Sequence, residues 1–181
     1  MAPALQAAQT AGVQHVVLLS LQGAEGNKVV PHAKIEAWLR ASEMDWTFIR
    51  PSFFMENLST THASDIRDRN EISVPAGKGK TSFVAASDVA ATATVALLDP
   101  ETSRGKAWIP TGSQALAYAE VATILSQVLG RKIIYTKPGV PRYMLHAHNA
   151  LGMPWPMVLV TTAIYTVARL SRPARPAMCK R

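Results

Sequence analysis

Two hydrophobic patterns recur along the chain: short continuous apolar runs, and longer stretches in which apolar residues recur every three or four positions. The runs at residues 15–19 and 46–49 are rich in aliphatic, aromatic and β-branched residues. Such runs predict strands that are covered on both faces of a parallel sheet. Pro51 ends the second strand, because proline has no N–H to donate to a neighbouring strand.

A helix predicted over residues 29–42 separates these two strands. Ile35 and Leu39 belong to its apolar stripe, and we expect Glu36 and Arg40 to face solvent. The rest of the pattern predicts helices over residues 5–11, 89–98, 117–129, 143–151 and 157–169, and strands over residues 72–74, 81–85, 106–109 and 133–136. Helices that alternate with strands indicate an α/β fold, with a parallel sheet and right-handed crossovers.

The segment that follows the second strand is the first candidate for a ligand site. Residues 53–57, Phe-Phe-Met-Glu-Asn, leave the carboxyl end of that strand, and we expect them to enter a helix. Open parallel sheets bind ligands outside the carboxyl ends of their strands. The segment therefore either lines a ligand site or fills the core as an aromatic plug, since aromatic side chains are usually buried.

Four local features have mainly structural interpretations. Arg50, directly before Pro51, is expected to pair with an acid or to contact a ligand. Asp88 is expected to be the N-cap of the helix at residue 89. Trp155 stands between two prolines, and we expect it in the core or as the lid of an apolar pocket. Residues 75–80, Pro-Ala-Gly-Lys-Gly-Lys, predict a flexible basic turn.

Composition narrows the class of protein. The single cysteine rules out a disulfide framework, so a reducing, cytoplasmic setting is expected. The five histidines show no metal-binding spacing, and we predict no metal site. No secretory signal is recognised at the start of the sequence. Residues 158–168 are apolar but shorter than the ~20 residues that cross a bilayer, so we expect a buried or surface-docked helix there and no membrane span.

Positive charge is concentrated at the end of the chain. The formal net charge is +7, and no acidic residue follows Glu120. Residues 171–181 are predicted to form a basic disordered tail behind a folded region of residues 1–170. Such a tail can contact nucleic acid or anionic lipid, but it is usually only solvated. No nucleic-acid partner is expected, because the folded region lacks a basic face with interleaved aromatic residues.

Five segments of the sequence, in this order, resemble the NmrA-like, atypical branch of the short-chain dehydrogenase/reductase superfamily. They are residues 11–20 (AGVQHVVLLS), residues 32–36 (HAKIE) followed by 39–42 (LRAS), residues 47–51 (TFIRP) with 54–57 (FMEN), residues 87–90 (SDVA), and residues 117–122 (AYAEVA) leading to 129–131 (LGR). Each segment is short. The ordered set is specific for the family but not for a substrate.

The resemblance implies a Rossmann-like parallel sheet that binds NADP(H) or NAD(H), followed by a small, mostly helical substrate region. In the family, the serine that matches Ser20 lies beside the nicotinamide, and the residue that matches His32 reaches the cofactor ribose. His32 and Ser20 are therefore the candidate catalytic residues, and both are candidate cofactor ligands. The segment that wraps the nicotinamide adds Pro51, Ser52, Phe53, Phe54, Met55, Glu56 and Asn57.

One departure from the superfamily pattern concerns the proton donor. The positions of the Tyr-x-x-x-Lys dyad fall on Lys28 and His32, so the usual tyrosine is absent. Hydride would then pass to an acceptor that needs no strong protein acid, such as a quinone, an azo compound or a flavin-like molecule. His32 is a possible proton donor, because histidine side chains ordinarily exchange protons near neutral pH. The alternative is a histidine on a helix surface.

A second departure concerns the phosphate-binding loop. The family's Gly-x-x-Gly-x-x-Gly loop precedes the part that matches residue 11, and nothing in this sequence replaces it. Gly77-Lys78-Gly79-Lys80 follows no strong strand and opens no helix. The chain thus resembles a family member without its first strands, and we expect weak pyrophosphate binding. The exposed sheet edge would favour aggregation or pairing with another chain, including a second copy.

Three functions remain open at this point. The first is an NAD(P)H-dependent oxidoreductase of the quinone-reductase kind, impaired by the missing loop. The second is a regulator that senses NAD(P) without turnover, since NmrA-like regulators bind dinucleotide without reducing a substrate. The third is an inactive fragment that folds only with another chain.

Overall fold

The computed structural model describes residues 2–26 and 30–170. The predicted basic tail and Lys28 lie outside the described residues. The strands are β1 (His15–Leu19), β2 (Asp45–Ile49), β3 (Phe53–Phe54), β4 (Glu71–Ile72), β5 (Lys80–Val84), β6 (Lys106–Trp108), β7 (Ala115–Ala117) and β8 (Ile134–Tyr135). The helices are α1 (Ala2–Thr10), α2 (Pro31–Ala41), α3 (Ala86–Leu98), α4 (Pro100–Ser103), α5 (Tyr118–Leu129), α6 (Val140–Asn149) and α7 (Trp155–Leu170).

The chain folds as two compact units. Among the described residues, the first comprises 2–26, 30–54 and 84–112, and the second comprises 55–83 and 113–170. Strand β5 crosses the boundary, with its first four residues in the second unit. The sheet that carries the predicted nicotinamide edge belongs to the first unit.

The first unit contains a parallel sheet in the order β1-β2-β6. His15 lies opposite Asp45 and Leu19 opposite Ile49, so β1 and β2 end side by side. The predicted parallel α/β arrangement is therefore confirmed. The expectation that β1 is covered on both faces is wrong, because Leu19 is 54% exposed and the other residues of the strand are half-buried. Among the described residues β1 is an edge strand, with β2 as its only partner.

Strand β2 is the centre of the first unit, and its two faces carry different clusters. On one face Phe48 packs with Leu39 of α2 and with Met44. On the other face Ile49 packs with Val89 of α3 and with buried residues near it. Neighbouring residues of a strand point to opposite faces, so a continuous apolar run suits a strand that is buried on both sides. The prediction for β2 is confirmed.

The second unit combines two short sheets with α5, α6 and α7. Strand β4 pairs with β8 in parallel, and β5 pairs with β7 in antiparallel register. A single π-helical turn, Asp65–Arg69, ends at Asn70 in the left-handed conformation. The predicted helix 117–129 is confirmed as α5, which ends at Gly130 with a φ of 63°. The two predicted C-terminal helices are confirmed as α6 and α7.

Two local predictions are wrong. The segment after Pro51 forms the short strand β3 and then a 3₁₀ turn, Met55–Leu58, rather than an α-helix. Helix α3 has Ala85 as its N-cap, so Asp88 lies in its first turn, where a carboxylate favours the helix dipole.

The predicted turn within residues 75–80 is confirmed at residues 77 and 78, and Ala76 and Gly79 beside it are buried. Trp155 is 45% exposed and stacks on the ring of His148, so the core alternative for this residue is wrong and the lid of an apolar pocket stays a prediction. Within residues 2–26 and 30–170, no helix combines the length and the apolar character needed to cross a membrane.

Candidate functional site

The carboxyl ends of β1 and β2 form one edge of the first unit's sheet, as predicted. The backbone N–H of Ser20 donates to the carbonyl of Ile49 at 2.7 Å. Two residues later, the N–H of Gln22 donates to the carbonyl of Pro51 at 3.2 Å. Ser20 and Pro51 are thus held beside each other by the continuation of the strand pairing.

A buried polar network lies at this edge. The hydroxyl of Ser20 donates to Oε1 of Glu36 at 2.6 Å. Arg50 grips the same carboxylate with two hydrogen bonds, from Nε to Oε1 at 3.0 Å and from Nη2 to Oε2 at 2.6 Å. Ser20, Glu36 and Arg50 are 5%, 3% and 5% exposed. Nη1 of Arg50 reaches the partly exposed Glu25 at 3.0 Å.

The network holds Glu36 as a carboxylate. Burial alone would raise the pKa of Glu36, but hydrogen bonds from Arg50 and Ser20, together with the charges of Arg50 and Arg40, outweigh it and lower that pKa. The hydrogen bond to Glu36 raises the pKa of Arg50 in turn, although desolvation opposes this. The site therefore contains a charge-assisted, forked ion pair with a serine hydroxyl attached to it.

This network confirms one prediction and corrects another. Arg50 pairs with an acid, as expected. Glu36 does not face solvent, because α2 turns it toward the end of β2, where Arg50 is buried. An arginine directly before the proline that ends a buried strand was the available signal, since a buried guanidinium requires an anion.

His32 lies in the first turn of α2, one helical turn before Glu36, so the two side chains share a face of the helix. The His32 side chain is half-buried. Its Nδ1 is buried and has no hydrogen-bond partner among the described residues. A buried ring nitrogen of this kind is suited to a polar group supplied by a ligand.

The remaining predicted site residues fall into both units. The first unit contains Pro51, Ser52, Phe53 and Phe54, and the N–H of Ser52 donates to the carbonyl of Pro110 at 3.1 Å. Phe54 packs against the apolar cluster around Ile49. The second unit contains Met55, Glu56 and Asn57. A joint cofactor contact by all seven residues stays a prediction.

The second unit has a polar cluster that the sequence did not reveal. His62 is fully buried and lies 2.6 Å from the hydroxyl of Tyr165 through Nε2. Burial lowers the pKa of His62 to about 4, so its ring is neutral at pH 7. Nearby, Nε2 of His146 lies 2.8 Å from Oδ2 of the buried Asp65. His62 and His146 are 84 positions apart in the chain's numbering, so no local spacing reveals this cluster.

One donor set of the second unit has the composition of a metal site. Asp65, Glu71 and His146 each offer a ligand atom, and these atoms lie within 4.8 Å of one another. Asp65 already pairs with His146, and Nε of Arg69 lies 3.7 Å from its carboxylate. The carboxylate of Asp65 thus already has two partners within the protein.

Comparisons with known proteins agree with this architecture. A family model described as the NmrA-like family matches residues 4–169. An NAD(P)H azoreductase from Xenophilus azovorans is 37% identical in an alignment 191 residues long, which covers 94% of this chain and 65% of the azoreductase.

Two solved structures share the fold. A triphenylmethane reductase from Citrobacter, complexed with NADP(H), superposes with a TM-score of 0.76 at 26% identity, over 94% of this chain and 61% of the reductase. An NADPH-dependent quinone oxidoreductase from Escherichia coli superposes with a TM-score of 0.78 at 21% identity, over 91% of this chain and 59% of the oxidoreductase. These neighbours confirm the predicted Rossmann-like fold.

The chain spans less than two thirds of the length of each of these three proteins. The family match nevertheless covers nearly the whole folded region. Because the family model matches residues 4–169 and the structure has the parallel sheet expected of it, the chain belongs to the NmrA-like family.

Proposed function

We propose that this chain carries the nicotinamide-facing part of an NAD(P)H-dependent oxidoreductase whose acceptor is a quinone, an azo compound or a similar conjugated molecule. The observation that carries the proposal is the buried network of Ser20, Glu36 and Arg50 at the carboxyl edge of the parallel sheet. Ligands of open α/β sheets bind at this edge. The activities named for the azoreductase and the quinone oxidoreductase support the choice of acceptor.

The residues at this edge suit a nicotinamide cofactor. The unpartnered Nδ1 of His32 offers a polar contact, and the oxygen of Ser20 retains acceptor capacity. We assign cofactor binding to Ser20 and His32 together with Pro51, Ser52, Phe53, Phe54, Met55, Glu56 and Asn57. When bound, NADPH or NADH supplies a hydride to the acceptor.

The network determines what Ser20 can do. Its hydroxyl proton is donated to Glu36, so its oxygen is left to accept a hydrogen bond from a ligand N–H. Arg50 keeps Glu36 ionised and thereby keeps that proton in place. In this proposal Ser20 orients the ligand and does not act as an acid.

His32 is the residue to which we assign the proton. Its Nδ1 can exchange a proton with the reduced acceptor, because no described protein group occupies that atom. Quinone and azo anions are stabilised by delocalisation, so a weak acid is sufficient. This assignment is consistent with the absence of a tyrosine at position 28.

Weak cofactor affinity is part of the proposal. The sequence contains no Gly-x-x-Gly-x-x-Gly loop. The glycine pair at positions 77 and 79 does not replace it, because a Cβ at Gly79 would lie 2.1 Å from the carbonyl oxygen of Ala168. That close contact assigns Gly79 to internal packing rather than to a phosphate.

The test is a titration of the purified chain with NADPH and with NADH, followed by nicotinamide fluorescence. Reductase activity is then measured with a simple quinone and with an azo dye. We expect saturable binding, turnover, and a loss of about 10²- to 10⁴-fold in kcat for His32→Gln. Lys34→Gln, on an exposed position of the same helix, is the matched control and should leave kcat unchanged. The absence of saturable binding for either cofactor would overturn the proposal.

A regulator that senses NAD(P) is the second candidate. The observation in its favour is that Lys28 and His32 occupy the positions of the superfamily's catalytic dyad. Saturable cofactor binding without oxidation, in the presence of several quinones and azo dyes, would select this function over the reductase.

A further inference from the structure

Helix α7 turns an apolar side to solvent. Trp155, Met157 and Leu159 are 45%, 51% and 57% exposed, and Val160, Ile164 and Val167 are 54%, 47% and 62% exposed. Pro156 and Ala163 are exposed as well. Large apolar residues scattered singly over a surface need no explanation, but a contiguous set on one element does.

The arrangement of these residues around the helix is one-sided. Val158 and Tyr165 are buried and mark the inner side of α7. With about 100° between successive residues, the exposed positions from Leu159 to Met157 fill an arc of about 160° opposite that inner side. Between residues 156 and 167 this outer face carries no charged or polar side chain. We call it the α7 apolar face.

Strong positive charge follows the α7 apolar face in the sequence. Arg169 lies in the last turn of the helix and is exposed. Residues 170–181, which follow it, contain no acidic group. The basic residues at or beyond the end of the helix are Arg169, Arg172, Arg175, Lys180 and Arg181.

We propose that the α7 apolar face binds the surface of an anionic lipid bilayer. A helix that is apolar on its outer side and flanked by basic residues binds in the interfacial plane by burying its apolar side and attracting anionic headgroups. Trp155, half-exposed at the start of the helix, suits this interface because an indole ring combines an apolar body with a polar N–H.

Charge favours a bilayer over a second copy of the chain. A second copy joined through this face presents, at and beyond its own α7, only basic residues and no acid after Glu120, whereas an anionic bilayer offers the basic segment opposite charges. An anionic bilayer can bury the α7 apolar face and pair its headgroups with the basic segment at the same time. Helix α7, with 16 residues, lies in the interface and does not cross the membrane.

The test uses the whole purified chain in a vesicle flotation assay. Vesicles of phosphatidylcholine alone are compared with vesicles that also contain phosphatidylglycerol. We expect the chain to float only with the anionic vesicles, and more weakly as salt is added. Ile164→Gln with Val167→Gln should abolish flotation. Replacement of Arg172, Arg175 and Lys180 by Gln should weaken it by about fivefold for each charge removed.

The matched control for these variants is Val128→Gln. Val128 is a valine of helix α5, also in the second unit, and is 75% exposed. It should leave flotation unchanged. Ile164, Val167 and Val128 are exposed, and circular dichroism should confirm that each variant keeps the native helix content.

Three results would overturn the proposal. The first is failure to float with anionic vesicles. The second is flotation that the double variant retains. The third is a dimer, measured by light scattering, that the double variant converts to monomer while flotation remains absent, since this would assign the face to a second copy.

Discussion

Replacing Arg50 by methionine is the sharpest test of how the candidate site is held together. Arg50→Met keeps a long, flexible apolar side chain but removes the guanidinium that grips Glu36 through two hydrogen bonds. Glu36 stays 3% exposed and keeps only the hydroxyl of Ser20 and the guanidinium of Arg40 at 3.7 Å. The variant thus leaves a buried carboxylate largely uncompensated.

The expected loss of stability is large. Removing one partner of a buried ion pair costs about 3 to 5 kcal/mol. With a urea dependence of about 2 kcal/mol per M, the unfolding midpoint should fall by about 1.5 to 2.5 M. Replacing both Glu36 and Arg50 by methionine should cost less than Arg50→Met alone, because no unpaired charge remains.

The pH dependence adds a second readout with a defined sign. In the native protein the pKa of Glu36 is lowered, so its contribution to stability is present above its ordinary value near 4.5 and is lost as the pH falls through the folded value. In Arg50→Met the desolvation of Glu36 dominates and raises its pKa. Acidification then protonates Glu36 and relieves the penalty, so the two stability curves should converge as the pH falls.

The assay is urea unfolding followed by circular dichroism between neutral pH and pH 4. Arg67→Met is the matched control, because Arg67 grips Asp68 with the same forked geometry but is 72% exposed. Exposed pairs contribute little, so this variant should leave the midpoint unchanged. Equal midpoint shifts for Arg50→Met and Arg67→Met, or curves that stay parallel on acidification, would refute the reasoning.

Three further predictions concern the second unit. The neutral, buried His62 has a pKa of about 4 against an ordinary value of 6.5, so the unfolded state binds the extra proton between those values and stability should fall by about 1.4 kcal/mol for each unit by which the pH is lowered from 6.5 to 4. His62→Gln should remove this slope from urea midpoints measured against pH. Gly79→Ala places a Cβ 2.1 Å from the carbonyl oxygen of Ala168 and should lower the free energy of unfolding by about 3 kcal/mol. Gly139→Ala is the control, because its Cβ meets no atom within 4 Å and should leave stability unchanged. Equal thermal midpoints for these two variants would contradict the close contact. Arg131→Met removes hydrogen bonds to the carbonyls of Ile66 and Arg67 and should cost about 1 to 2 kcal/mol by urea unfolding, against no change for the neighbouring Lys132→Met.

Continuous apolar runs were the most informative part of the sequence for the fold. Residues 15–19 predicted β1 with the observed bounds, and β2 extends the predicted strand by one residue to Asp45. Strand β2 is buried on both faces and so needs an apolar residue at nearly every position, whereas β1 has the same pattern although it is only half-buried. Strands β3 and β7, with two and three residues, are too short to show any period and were missed.

The sequence predicted the edge of the sheet at which the candidate site lies, but it did not predict the buried ion pair of Glu36 and Arg50. Ser20 and Pro51 lie side by side because parallel strands place their carboxyl ends together. Glu36 was assigned to the outside of α2, since a charged residue of an amphipathic helix usually faces solvent. Its burial depends on Arg50, which lies 14 positions later, and helical periodicity contains no information about such a tertiary partner.

Trp155 shows the reverse error. A tryptophan between two prolines suggested the core or the lid of an apolar pocket, and the core alternative followed from the usual burial of large aromatic side chains. It is half-exposed on a helix whose solvent side is apolar. The sequence did contain the clue, since residues 156–160 offer no polar position to face water.

The contact at Gly79 has a mechanical consequence. With no side chain at this position, the backbone of the loop bears directly on the last turn of α7 at Ala168, and no compressible rotamer lies between them. The next residue, Lys80, begins β5. A shift of the end of α7 should therefore displace the start of that strand by a similar distance. Amide hydrogen exchange rates in β5 should then change when a ligand or a substitution moves the helix.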